Sequence, residues 1–114
     1  MNEMMKEFRM LCREYRKEKQ WLEELCSDVL TDSHTTPRVS AQISFLMQDV
    51  HRVEDVLKRI EEKHGSRAAR IVRQVYVENT KVADAAAMFC MSKRSLERNL
   101  NRWVREGVAD HDRL

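Results

Sequence analysis

Residues 81–105 read Lys81-Val-Ala-Asp-Ala-Ala-Ala-Met-Phe-Cys-Met-Ser-Lys-Arg-Ser-Leu-Glu-Arg-Asn-Leu-Asn-Arg-Trp-Val-Arg105, and this stretch decides the fold prediction. A short helix with an alanine run comes first, a tight turn follows, and a second helix carries mostly arginine on one side. This order is typical of a helix-turn-helix, in which the second helix enters the major groove of DNA. The stretch therefore predicts a DNA-recognition helix over residues 92–105.

The apolar residues of the stretch indicate which side of the second helix faces inward. Leu96, Leu100 and Trp103 follow one another at spacings of four and three, so they share one side of a helix. The alanines at 85–87 are small enough to let the two helices approach closely. Ser92 is expected to cap the second helix, because its hydroxyl group can accept a hydrogen bond from an unpaired backbone N–H.

The opposite side of this helix is predicted to contact DNA. Arg94 and Arg98 are the expected partners of guanine edges, which a guanidinium group can bind with two hydrogen bonds. Lys93, Arg102 and Arg105 are expected to contact phosphates. The full set of candidate DNA-binding residues is Lys81, Ser92, Lys93, Arg94, Ser95, Glu97, Arg98, Asn101, Arg102 and Arg105.

Residues 67–106 resemble the region 4 helix-turn-helix of bacterial sigma-70-type factors. The resemblance rests on three segments, Val82-Ala-Asp-Ala-Ala, Met91-Ser-Lys-Arg-Ser and Leu96-Glu-Arg-Asn-Leu-Asn-Arg. In those factors the recognition helix reads the promoter −35 element through a similar Glu/Arg pattern. The resemblance thus implies that role for Arg94, Glu97, Arg98 and Arg102. The turn carries Cys90 where such factors usually have glycine.

The whole chain is similar to small regulators of the ArpU/RinA type from phages and prophages of Gram-positive bacteria. This resemblance implies a sequence-specific transcriptional regulator that activates late genes, with double-stranded DNA as its partner. Residues 1–64 are expected to provide either self-association or a contact with RNA polymerase. The chain lacks a counterpart of the sigma region that melts the −10 element. Two alternatives stay open: a sigma-mimicking protein that binds RNA polymerase, and an accessory protein of phage DNA packaging or recombination.

The N-terminal half predicts two long helices with matching apolar sides. Apolar residues recur every three or four positions along both: Met5, Phe8, Cys12, Tyr15, Leu22, Cys26 and Val29 in the first, and Val39, Ile43, Leu46, Val50, Val53, Leu57 and Ile60 in the second. The polar segment of residues 31–37 should be the loop between them, and Gly65 should follow the second helix as a cap or a hinge. We therefore expect an antiparallel helical hairpin over residues 1–64.

A two-helix hairpin buries one narrow stripe per helix and is a poor core by itself. It is therefore expected to pack on the C-terminal part, or on a second copy to form a homodimer. Five apolar residues outside the two stripes are candidates for such a second contact: Met4, Met10, Phe45, Met47 and Val56. The remaining surface of the first helix mixes charges of both signs and is expected to be solvated.

The C-terminal part, residues 65–114, is predicted to be a three-helix DNA-binding domain. Its first helix should cover residues 66–79, with Ser66 as the N-cap. The complete prediction is thus an all-α protein. Charge supports this division, because residues 1–64 carry 11 Lys and Arg against 13 Asp and Glu, whereas residues 65–114 carry 10 against 6.

Composition excludes several other classes. No apolar run approaches the ~20 residues of a membrane span, and the charged N-terminus does not resemble a signal peptide, so a cytoplasmic protein associated with the bacterial nucleoid is expected. The three cysteines lack metal-ligand spacing and are expected to be small buried apolar residues. No phosphate-binding glycine loop or nucleophile–base pair is present. We therefore expect no catalysis, no cofactor and no metal.

Overall fold

The computed structural model describes residues 3–31 and 37–112, and the side chains of residues 28–31 and 110–112 are outside that description. The described chain is all-α, as predicted. Five helices follow one another: α1 (Glu3–Thr31), α2 (Pro37–His64), α3 (Ser66–Val72), α4 (Val82–Met88) and α5 (Lys93–Asp112). The side chain of Val29 and residues 32–36 of the predicted loop lie outside the described residues.

Helices α1 and α2 pack along the predicted apolar sides. Tyr15 is buried between them, and its hydroxyl group donates a hydrogen bond to Glu54 Oε2 at 3.0 Å. Glu7 pairs with Arg52 across the same contact, at 3.6 Å between Oε2 and Nη2. We call residues 3–15 and 50–64 the inner end of this helix pair, and residues 16–31 and 37–49 its outer end.

The inner end lies in the core of the molecule. Its eight predicted apolar positions are at most 7% exposed: Met5, Phe8, Cys12, Tyr15, Val50, Val53, Leu57 and Ile60. The same core cluster includes buried residues of α3, α4 and α5. The buried side chains of residues 1–64 and 65–114 therefore form one core, because the C-terminal helices cover the inner end of α1 and α2.

Glycine marks both the end of α2 and the closest approach between helices. Gly65 follows α2 with a φ of +98°, and its N–H donates to Glu61 O at 2.8 Å. Gly107 lies within α5 where that helix crosses α2. A Cβ atom at Gly107 would lie 2.8 Å from Ile60 Cγ1 and 3.2 Å from Val56 Cγ1, so only glycine permits this separation.

Helix α3 continues into a single π-helical turn, Arg73–Val77. The N–H of Glu78 donates to Arg73 O at 3.0 Å, five residues back, and Asn79 then adopts a φ of +59°. Asparagine tolerates this left-handed conformation better than most residues. The predicted helix over residues 66–79 is therefore shorter and more irregular than the sequence indicated, and Gly65 occupies the N-cap position predicted for Ser66.

Val56, one of the five candidates for a second contact, packs on α5 of the C-terminal part near Gly107 and has no exposed surface. Two further expectations are wrong. Helix α5 ends at Asp112, well beyond the predicted residue 105. Cys26 and Cys90 are exposed, and only Cys12 is buried as expected.

Candidate nucleic-acid interface

The segment between α4 and α5 makes a tight turn. The N–H of Met91 donates to Ala86 O at 2.8 Å, and the N–H of Cys90 donates to Ala87 O at 3.3 Å. Cys90 has a φ of +56°, the left-handed conformation that glycine adopts most easily. The turn therefore keeps a glycine-like backbone without glycine, which costs of order 1 kcal/mol.

Ser92 caps the helix that follows, as predicted. Its Oγ accepts a hydrogen bond from the N–H of Ser95 at 3.1 Å, and α5 begins at Lys93. This bond satisfies one of the backbone donors that the first turn leaves unpaired. The start of α5 is thereby fixed next to the turn.

The two sides of α5 differ as the helical angles predicted. Leu96, Leu100 and Trp103 are 0%, 3% and 8% exposed, and Val104 and Val108 extend this buried side. All ten candidate DNA-binding residues are exposed, including Lys81 just before α4: Lys81, Ser92, Lys93, Arg94, Ser95, Glu97, Arg98, Asn101, Arg102 and Arg105. We call the α5 members of this set the outer face of α5.

The cations of the outer face have no acidic partner among the residues that the structure describes. Neither Lys93, Arg94, Arg98 nor Arg105 forms an ion pair with any residue that the structure describes, and Arg102 makes only a 3.4 Å hydrogen bond to Asn99 Oδ1. On α1, in contrast, Arg16 forms an ion pair with Glu78, with 2.7 Å between Nη1 and Oε2. The guanidinium groups of α5 are therefore available to an anionic ligand.

The opposite edge of α5 is fixed to α2. His64 Nε2 lies 2.7 Å from Glu106 Oε2, and Lys63 Nζ lies 3.6 Å from the same oxygen. The hydrogen bond with His64, together with the charge of Lys63, holds the pKa of Glu106 below its usual range. The ring of His64 also contacts Trp103, with centroids 6.2 Å apart. These contacts limit rotation of α5 about its axis.

Sequence reasoning missed two residues near the outer face. Arg9 and Arg13 of α1 line an open cleft of about 410 Å³ together with Lys81, Glu97 and Asn101. The guanidinium carbon of Arg9 lies 5.5 Å from the centre of the Tyr76 ring. The signal was present in the sequence, because Arg9 and Arg13 are four residues apart on one side of α1, but nothing there indicates that this side lies beside α5.

The described part of the chain contains neither a metal-binding group nor a membrane-spanning helix. No three His, Cys, Asp or Glu side chains within residues 3–31 and 37–112 are grouped so as to hold a metal ion. Among the same residues, no helix has the length and apolar character that crossing a bilayer requires.

Comparison of the chain with protein-family models, with curated proteins and with solved structures finds no match.

Proposed function

We propose that this protein is a sequence-specific DNA-binding regulator of transcription, with α5 lying in the major groove. One observation carries the proposal: the outer face of α5 exposes four arginines, none of which is paired with an acidic residue among those described. The mixed charges of an ordinary solvated helix would instead neutralise one another. The capped start of α5 and the preceding turn match the position that a recognition helix needs.

Individual roles follow from side-chain chemistry. Arg94 and Arg98 bind guanine edges through two hydrogen bonds each, and Lys93, Arg102 and Arg105 neutralise phosphates. Asn101 and Ser95 add hydrogen bonds to a base or a phosphate. In keeping with the resemblance to sigma region 4, Glu97 accepts from a cytosine amino group or orients a neighbouring arginine. We place the target sites in phage or prophage late promoters, with activation as the outcome.

Assembly as a homodimer belongs to the same proposal. The outer end of α1 and α2 exposes Trp21, Phe45 and Met47, which are 46%, 71% and 40% exposed. Pairing of two outer ends would cover these side chains and would present two α5 helices to one site, which multiplies specificity. A monomeric mass by light scattering at micromolar concentration would overturn this part.

The test begins with selection of binding sites from a randomised duplex library. Fluorescence anisotropy then compares the wild type, Arg98→Ala and Lys93→Ala on the selected site. Arg98→Ala is expected to weaken specific binding by about 1–3 kcal/mol and to relax the preference at one base pair, because a bidentate guanine contact is lost. Lys93→Ala is expected to reduce the salt slope by about 1 on every sequence.

Lys58→Ala is the matched control, since Lys58 lies in a separate cleft between α2 and α3, near Glu54 and Glu61. It should leave both affinity and salt slope unchanged. Selection that enriches no sequence, or binding that is indifferent to both α5 variants, contradicts the proposal. In that case the outer face serves a protein partner such as RNA polymerase.

A further inference from the structure

Helix α1 separates its charges along the part that lies near α5. At about 100° per residue, five cations between residues 5 and 18 lie within roughly 100° of its circumference. We call them the α1 basic stripe: Lys6, Arg9, Arg13, Arg16 and Lys17. Glu7, Glu14 and Glu18 lie outside that arc and line a different cleft, with Asp49 and Arg52 of α2. The surface of α1 carries charges of both signs, as expected, but in this part of the helix the two signs occupy separate sides.

The α1 basic stripe lies beside α5. Arg9 and Arg13 share one cleft with Lys81 and with two polar residues of α5, Asn101 and the acidic Glu97. A second, neighbouring cleft is lined by Arg13, Arg16 and Lys17. Cations of α1 and Lys81 therefore border the outer face of α5, and Glu97 is the one acidic residue among those described that lines the shared cleft.

Two arginines of the stripe, Arg9 and Arg16, contact residues of the C-terminal part, and Arg13 is exposed between them. Arg9 stacks on Tyr76, whose ring meets Phe8 edge-on with centroids 6.3 Å apart. Arg16 pairs with Glu78 at 2.7 Å. Arg13 lies between them, is exposed, and forms no ion pair with a described residue. Its guanidinium group is therefore available to an anionic ligand at the point where the two clefts meet.

We propose that the α1 basic stripe binds the phosphate backbone of DNA flanking the site recognised by α5, with Arg13 as a direct contact. This inference rests on the proposed function. Residues 6–17 extend over about 17 Å along the helix, a length that passes several phosphates. An extended row of cations beside a recognition helix suits a linear polyanion, whereas a single small anion would require one enclosed site.

The test uses Arg13→Gln, which removes the charge and retains a polar side chain on an exposed position. Phosphate contacts do not depend on sequence, so the effect should be equal on the selected site and on a scrambled duplex of the same length. The expected changes are a salt slope lower by about 1 and an affinity about five- to tenfold weaker near 0.1 M salt. Arg13→Lys should restore the slope, because the charge is retained.

The controls separate this inference from the proposed function. Lys58→Gln removes the same charge far from both clefts and should change neither quantity, and circular dichroism should show the same helix content in each variant. If Arg98→Ala weakens specific binding while Arg13→Gln behaves like Lys58→Gln, the stripe does not contact DNA and the proposed function stands. A slope that Arg13→Lys does not restore also overturns the inference. If Arg98→Ala has no effect either, both proposals fail together.

Discussion

The two ends of the α1–α2 pair have the same apolar spacing and different surroundings. At the inner end, the eight apolar stripe positions between Met5 and Tyr15 and between Val50 and Ile60 are at most 7% exposed. At the outer end, Leu22, Ile43 and Leu46 are only partly buried, and Cys26 is exposed. Spacing therefore predicts which side of a helix is apolar, while burial depends on whether further helices cover that side.

The covering at the inner end comes mainly from α3 and α5. Gly107 brings the α5 backbone against Ile60 and Val56, and this contact places the outer face of α5 on the other side of the same helix. The C-terminal part reaches the border of the outer end, where Arg16 pairs with Glu78, and Leu22, Ile43 and Leu46 beyond that border are only partly buried. Stability thus depends mainly on the inner end, whereas the proposed assembly would use the outer end.

The largest expected effect is a difference in stability loss between two isoleucine-to-alanine variants, one on the apolar side of each end. Ile60→Ala should lower the free energy of unfolding by about 2–5 kcal/mol, because Ile60 is 1% exposed and a cavity remains. Ile43→Ala removes the same atoms from a partly exposed position and should cost below about 1 kcal/mol in the monomer. Urea unfolding monitored by circular dichroism measures both.

The stability cost of Ile43→Ala should depend on protein concentration. If the outer ends pair, the cost of Ile43→Ala should rise with concentration, since association stabilises the wild type by mass action. Equal costs for the two variants at nanomolar concentration would contradict the difference between the ends.

A smaller effect is expected at the crossing of α5 and α2. Gly107→Ala adds a Cβ atom 2.8 Å from Ile60 Cγ1, so the helices must separate, at a cost of about 1–3 kcal/mol. Gly65→Ala is the contrasting variant, because nothing lies within 4 Å of a Cβ there and only the φ of +98° opposes it. Because Ile60→Ala removes both Cγ1 and Cδ1, the double variant Gly107→Ala/Ile60→Ala should lose less stability than the sum of the two single losses. Fully additive losses would show that the contact is not the cause.

The smallest expected effect is the pH dependence of stability that Glu18 causes, near the border between the inner and outer ends. Desolvation, together with the smaller effects of the charge of Asp49, a hydrogen bond with Asp49 and the charge of Glu14, raises the pKa of Glu18 from its ordinary 4.5 to about 7. The folded protein therefore binds more protons than the unfolded chain between these values, and stability falls as the pH rises from about 4.5 to about 7. Above that range the loss is constant.

Glu18→Gln removes this dependence. The variant should be more stable than the wild type by about 1 kcal/mol at pH 8, a value reduced because the carboxyl group is partly hydrated. At pH 4.5 the two proteins should unfold at nearly the same urea concentration. Glu23→Gln on the exposed side of α1 is the control. A wild type whose midpoint is constant from pH 4.5 to 8 would contradict the assignment.

Local sequence patterns were sufficient for much of the fold and the candidate site. The all-α class, the apolar sides of the helices, the cap at Ser92 and the burial of Leu96, Leu100 and Trp103 are confirmed. Each follows from residues within one or two helical turns of one another, where geometry is set by the backbone. The antiparallel hairpin, the helix-turn-helix and the recognition helix remain predictions in their details.

Contacts between distant segments were beyond the sequence. Gly107 is read in isolation as a helix-breaking residue, yet here it lies within α5 because Ile60, 47 positions earlier, needs the space. Val56 is off the apolar stripe of α2 and is buried for the same reason. Arg13 of α1 and Asn101 of α5 line the same cleft. They are 88 positions apart in the sequence, so no local pattern predicts that they lie close together.

The three cysteines differ in solvent accessibility, so their alkylation can be used to follow opening of the core. Cys26 and Cys90 are exposed, whereas Cys12 has no exposed surface and burial raises the pKa of its thiol to about 12. Alkylating reagents react with accessible thiolates, so two cysteines should be labelled promptly and the third only when α1 leaves the core. The delay before the third label is then a direct measure of how often the inner end opens while the rest of the molecule remains folded.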